Sequence, residues 1–131
     1  MNTLTPYEAI GGETTVRAIT HDFYRIMDEL PEAFGIRKLH DDDLSGSEQK
    51  LFLFLSGWLG GPNLYIEKFG HPRLRARHLP FSIGIAERDQ WLLCMRQSLE
   101  LNVADELLRE RLYTAFSDLA DHMRNKEETS L

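Results

Sequence analysis

The sequence predicts an all-α domain. Apolar residues recur at three- and four-residue spacing along almost the whole chain, no segment keeps the two-residue period of a strand, and glycine and proline punctuate the periodic stretches. At 131 residues the chain is expected to form one domain, 1–124, able to bury a sizeable core, followed by a disordered polar tail, 125–131.

Each element has its own signal. Thr5-Pro6-Tyr7-Glu8 combines a cap residue, a proline at the first helical position and a glutamate three residues after the cap, which predicts a capping box and a short helix. Gly11-Gly12 ends it. A second helix carries Val16, Ile19, Phe23, Ile26, Met27 and Leu30 on one face. Residues 31–44 read as irregular, with Asp41, Asp42 and Asp43 as a solvated turn; the spaced ligands of a calcium loop are missing. Ser45-Gly46-Ser47-Glu48 reads as a second capping box. It opens a helix through Leu59 that is apolar on most sides (Leu51, Phe52, Leu53, Phe54, Leu55, Trp58), so it must be covered on more than one face. Gly60-Gly61-Pro62 stops that helix and begins a long loop over 60–81, with room for one or two helical turns between Pro72 and Pro80. A fourth helix spans about 86–101 and a fifth about 103–123, the last with Leu108, Leu112, Ala115, Phe116, Leu119 and Met123 on one stripe.

Composition narrows the function. The net charge of −6 argues against general nucleic-acid binding. No apolar run is long enough to span a membrane, and residues 1–10 do not read as a signal peptide. The lone Cys94 cannot form an internal disulfide or a multi-cysteine metal site, and its apolar surroundings read as core. These features point to a cytoplasmic protein. No HExxH motif and no phosphate loop occur, so nucleophilic, zinc and nucleotide chemistry lack their residues.

One stretch stands out from this acidic chain: His71-Pro72-Arg73-Leu74-Arg75-Ala76-Arg77-His78-Leu79-Pro80-Phe81. A histidine among alternating cations and apolar residues suits a planar cofactor with an apolar body, a metal centre and anionic edges, as haem has. His78, followed by Leu79 and Phe81 as candidate lining, is a better axial ligand than His71, which sits between Gly70 and Pro72 and suits loop closure. His21 and His122 fall on polar helix faces. Arg75 and Arg77 can donate to carboxylates, and Lys50 is a further cation at the start of the apolar helix. The same stretch also fits a cofactor-free helical module whose basic 68–78 loop binds phosphate or an acidic partner.

Gly60-Gly61-Pro62, Tyr65, the segment from His71 to Phe81, and Glu87-Arg88-Asp89-Gln90-Trp91-Leu92-Leu93-Cys94-Met95, together with Gly11-Gly12 and Phe23-Tyr24, resemble the truncated haemoglobins, and more narrowly their second group. The resemblance runs from about Tyr7 to Met123. It implies a truncated globin fold, a two-over-two helical sandwich around haem b. It implies His78 as proximal iron ligand, Tyr24 and Trp91 as polar residues over the bound ligand, and Phe23, Leu51, Phe54 and Leu55 as pocket lining. Ser47 falls where many globins place a distal histidine, and Lys50, Tyr65 and Arg77 fall where side chains meet the propionates. His40 is the third distal candidate, with Leu39 in its place if the register slips by one.

The implied ligands are dioxygen, carbon monoxide, nitric oxide, sulfide and peroxide, with an external reductase as partner for any turnover. Hydrogen bonds to charged groups contribute about 1.5–3 kcal/mol each. Two donors serving a partly negative ligand would therefore slow its release by about two to four orders of magnitude. Such a pocket suits storage, sensing or redox chemistry better than rapid delivery.

Overall fold

The Thr5 hydroxyl accepts the Glu8 N–H at 3.2 Å and the Glu8 carboxylate accepts the Thr5 N–H at 3.1 Å, so the first capping box forms as its residues dictate. In this structure, a computed structural model describing residues 4–126, that box opens α1 (Pro6–Ile10), which Gly11 closes in the left-handed region at φ 114°. There follow α2 (Glu13–Glu29), a 3-10 turn (Pro31–Ala33) running into α3 (Phe34–Arg37), α4 (Ser45–Trp58), α5 (Leu64–Phe69), α6 (Leu74–His78), α7 (Ile85–Asn102) and α8 (Glu106–His122). The described residues contain no strand, and none of their helices is long and apolar enough to cross a membrane.

The core forms where α2 packs on α7, where α8 packs on α7 and where α4 packs on α2. Val16, Ile19, Phe23 and Met27 on α2 meet Met95 and Leu99 on α7 and Phe116 on α8, with Phe52 and Leu55 of α4 closing the other side. Ser98, fully buried on α7, donates its hydroxyl to the Ile19 carbonyl at 2.6 Å. A small polar residue there lets the two helices approach while its hydroxyl stays paired, as burial demands. Cys94 is likewise a core residue, and burial pushes its thiol up to about 11, which leaves little thiolate near neutrality.

Four sequence expectations change. Residues 31–44 are not wholly irregular: the 3-10 turn and α3 occupy 31–37, and the Gln90 side chain of α7 secures them by accepting the Ile36 N–H at 3.0 Å. The second capping box does not form. Ser45 is already helical, Leu44 holds the cap position, and Asp43 instead accepts the Ser45 N–H at 2.9 Å. The loop over 60–81 contains α5 as well as the expected turn α6. Asn125 and Lys126 are held, not free, because both backbone N–H groups donate to the Ile83 carbonyl. The rest of the expected tail, 127–131, lies outside the described residues.

The turn after α4 is built on close approach. The Tyr7 N–H donates to the Leu59 carbonyl at 2.9 Å, which brings the Tyr7 ring onto Gly61. A Cβ on Gly61 would stand 2.5 Å from that ring, whereas one on helical Gly46 would meet nothing within 4 Å. Gly61→Ala is therefore expected to destabilise the protein by about 1–3 kcal/mol through overpacking. Gly46→Ala should instead gain up to about 1 kcal/mol of helix propensity. Denaturant midpoints measure both, and equal effects in the two variants would contradict the packing argument.

Candidate cofactor site

The short helix α6 ends on His78, whose Nδ1 lies 2.6 Å from the Leu74 carbonyl one turn earlier. A carbonyl only accepts, so Nδ1 carries the proton and Nε2 of the neutral ring carries a lone pair. Nε2 has no hydrogen-bond partner among the described residues. This is how metal-ligating histidines are commonly held: one nitrogen tied to fix tautomer and ring angle, the other free. Leu79 and Phe81 follow, 58% and 42% exposed, an apolar surface left open beside the imidazole. His71 does what its position suggested, accepting the Arg73 N–H at 3.1 Å and tightening the loop.

Helix α4 faces two ways. Phe52, Leu53, Leu55 and Ser56 are buried in the core. Ser47, Leu51, Phe54 and Trp58, spaced four, three and four residues apart, form a second stripe that is only half-buried. A mostly apolar stripe left half open at that spacing is a surface suited to a further apolar body. Leu55 and Phe23, both expected to line the pocket, are fully buried in the core.

Ring contacts join the candidates into two groups. On one side the rings of His40 and Tyr24 lie 5.8 Å apart, Tyr24 and Phe23 4.9 Å, and Phe23 and Trp91 5.1 Å. On the other, Phe54 meets Tyr65 at 6.5 Å, and the Arg77 guanidinium lies 6.0 Å over the Tyr65 ring. Trp58 and Phe116 bridge the groups through Phe54 and Trp91. Phe116 was legible in the sequence only as part of an apolar stripe. A cavity of about 170 Å³ opens between Phe54, Trp58, Tyr65 and Pro72.

The polar atoms differ in what they can offer. The Tyr24 hydroxyl and the Trp91 indole N–H make no hydrogen bond among the described residues, so both donors are free. Burial, and then the nearby Glu48 carboxylate, push the Tyr24 phenol far above its ordinary value, keeping it protonated. His40 departs from expectation. Its Nδ1 is spent on the Ile36 carbonyl at 2.8 Å, so the neutral ring presents Nε2 as an acceptor and not as the expected third donor. Leu39 is half-buried beside it.

The cations divide as well. Lys50 is exposed with no ion-pair partner among the described residues, and Arg77 gives its Nε to the Pro72 carbonyl at 2.8 Å. Arg75, expected to be free for a carboxylate, turns away and donates to the His122 and Arg124 carbonyls at 2.8 and 2.9 Å.

The donor set, one free imidazole nitrogen amid open apolar surface with cations at the rim, fits haem. The chain is also similar to known proteins. The bacterial-like globin family matches residues 5–125. The Group 2 truncated hemoglobin YjbI of Bacillus subtilis is 38% identical over 94% of this chain and 90% of its own length. The structure superposes on a group II 2-on-2 hemoglobin from Agrobacterium tumefaciens with a TM-score of 0.93 at 52% identity, covering 97% of this chain and 98% of that one. A cold-adapted truncated hemoglobin from Pseudoalteromonas haloplanktis gives a TM-score of 0.92 at 48% identity, covering 95% and 100%.

The Tyr24 shift has a sign that can be checked. A phenol that ionises less readily when folded contributes nothing extra below about 10, its unfolded value. Above it, the unfolded chain sheds a proton that the folded chain keeps, so stability falls as pH rises. Tyr24→Phe should therefore flatten the alkaline loss of stability, measured by denaturant midpoints across that range. An unchanged slope would mean that the phenol ionises freely in the fold.

Proposed function

This chain belongs to the bacterial-like globin family, with the two-on-two helical fold of its group II members, and we propose that it is a haem b protein that binds dioxygen and related small ligands. The observation that carries this reading is the free Nε2 of His78 with its Nδ1 anchored at Leu74. Haem, when bound, supplies the iron at which small ligands are held. His78 would hold that iron, its ring oriented by the Leu74 carbonyl of its own helix. Leu51, Phe54, Leu79 and Phe81 would exclude water from the bound group, and Phe23 would back the wall that carries Tyr24 and Trp91. Lys50, Tyr65 and Arg77 would hold the bound group's carboxylates.

On the distal side Tyr24 and Trp91 each present one proton, at the hydroxyl and at Nε1. Both favour a ligand that carries negative charge, and the raised Tyr24 phenol stays a donor across neutral pH. His40, its Nδ1 tied to the Ile36 carbonyl, lies beside the Tyr24 ring and adds no further proton while its own ring is neutral. Ser47 leaves the approach past α4 lined by a small side chain. Strong donation favours slow oxygen release, hence storage, sensing or redox turnover of nitric oxide, sulfide or peroxide with electrons from an external reductase. The cofactor-free alternative needs the 68–78 guanidiniums free for an anion, and Arg75 is committed to backbone carbonyls.

Ferric, ferrous and carbon-monoxide absorption spectra test the assignment. His78→Ala should lose stable haem binding, or regain a five-coordinate spectrum only with added imidazole, while His71→Ala keeps haem. An unchanged imidazole-ligated spectrum in His78→Ala would overturn the proximal role. Trp91→Phe keeps most of the apolar wall and removes the donor, so oxygen should dissociate roughly ten- to a hundredfold faster. Tyr24→Phe should act in the same direction, and carbon monoxide should respond less in both. Wild-type oxygen release from both single variants and from the double variant, by stopped flow, would reduce Tyr24 and Trp91 to packing residues.

A further inference from the structure

Helix α6 carries His78 but has little of its own to hold it in place. It is five residues long, has no buried side chain and no side-chain cap, and starts at Arg73 in the left-handed region at φ 47°. The residues after it, Leu79 to Phe81, are exposed. A helix this short gains almost nothing from its own hydrogen bonds, so tertiary contacts must fix it. Among the described residues, its long-range hydrogen bonds come from the end of α8 and the turn that follows it.

Asn125 makes most of them. Its side-chain Nδ2 donates to the His78 carbonyl at 3.2 Å and to the Phe81 carbonyl at 2.8 Å. Its Oδ1 accepts the Ile83 N–H at 2.9 Å, and its backbone N–H donates to the Ile83 carbonyl at 2.9 Å. Arg75 completes the clasp from the other direction through the His122 and Arg124 carbonyls. The turn is itself anchored. Met123 is buried, and Asp121 accepts from Arg88 of α7 at 2.8 Å and from Arg124 at 3.1 Å. One side chain thus spans both ends of the Leu79–Phe81 turn and touches the backbone of the histidine itself.

We propose that Asn125, supported by Arg75, is a positioning residue for the proximal ligand: the C-terminal turn sets where His78 stands relative to the iron. The inference rests on the haem reading of the site. Nδ1 anchoring at Leu74 fixes the imidazole's rotation within α6, and the clasp fixes α6 within the protein. The two together leave the ring few ways to drift. Asn125 acts by donating, because the groups at its Nδ2 are both carbonyls.

The test compares Asn125→Ala, Asn125→Asp and Arg75→Ala in the full chain. Asp has nearly the shape of Asn and keeps the acceptor for the Ile83 N–H, but puts a carboxylate oxygen against two carbonyls. If shape were all that mattered, Asp would behave as wild type. If donation matters, Asp fails as Ala does. Three readouts apply: the iron–histidine stretching band of the ferrous protein, the transfer of haem to an apo-globin acceptor, and the C–O stretch of the carbon-monoxide form. The expected result is a shifted or broadened iron–histidine band and haem transfer faster by about tenfold in both Asn125 variants. Arg75→Ala should act in the same direction. The C–O stretch, which reports on Tyr24 and Trp91, should hardly move. A wild-type iron–histidine band in Asn125→Asp and Asn125→Ala overturns the proposal, as does a C–O shift in step with the proximal one. Should the wild-type chain take up no haem, the reading of the site fails by itself. The clasp is then judged on amide hydrogen exchange over 74–83, which must accelerate in Asn125→Ala for the clasp to stand.

Discussion

The close crossing of α2 and α7 is the constraint on which the other helices are arranged. Ser98 is fully buried there and its hydroxyl reaches the Ile19 carbonyl at 2.6 Å. A larger residue would force the helices apart, and an unpaired hydroxyl would carry a desolvation cost. The crossing sets Phe23 and Tyr24 on one helix against Trp91 on the other, with the Phe23 and Trp91 rings in edge contact at 5.1 Å. Tyr24 and Trp91, the proposed distal donors, are therefore held by core packing and not by loops. A side chain on a rigid helix can keep a hydrogen-bond donor free of partners, because the backbone cannot relax to satisfy it.

The proximal side is held differently. Helix α6 contributes no fully buried residue, and its long-range hydrogen bonds run from Asn125 and Arg75 to backbone carbonyls. The division makes physical sense. Leu79 and Phe81 near His78 are left exposed, and on the proposed reading that surface would receive the cofactor and could not also bind the helix to the core. Backbone hydrogen bonds to Asn125 and Arg75 supply the restraint without covering that surface. Helix α4 solves the same problem with geometry. Its core face is buried and its stripe of Ser47, Leu51, Phe54 and Trp58 is left half open.

Much of this was legible in the residues. Periodicity located the major helices, and Thr5 with Glu8 predicted a capping box that forms. The apolar character of α4 on most sides foretold a surface needing cover from more than one direction. The failure at Ser45 is instructive. Ser45 and Glu48 have the spacing of a capping box, but Asp43, two residues earlier, reaches the Ser45 N–H and moves the helix start by one residue. Two local motifs competed, and spacing could not say which would win. The helices α3 and α5 were missed because each is short, and short helices depend on contacts such as Gln90 to Ile36 that lie far away in sequence.

What the sequence determined by itself was the all-α class, the main helix faces, and the identity of the chemical groups: an imidazole at His78, a phenol at Tyr24, an indole at Trp91. These follow from residue type and period, which are local. What only the tertiary structure decided was the state of each group. The tie from His40 Nδ1 to the Ile36 carbonyl turns an expected donor into an acceptor. The burial of Leu55 removes it from the open stripe, and the turn of Arg75 toward α8 removes a cation from the rim. The hydrogen bonds of Asn125 to the His78 and Phe81 carbonyls, made from a stretch that reads as polar tail, form because the chain after α8 returns to α6. Hydrogen-bond partnership and burial are properties of pairs of distant residues, so no one-dimensional pattern carries them.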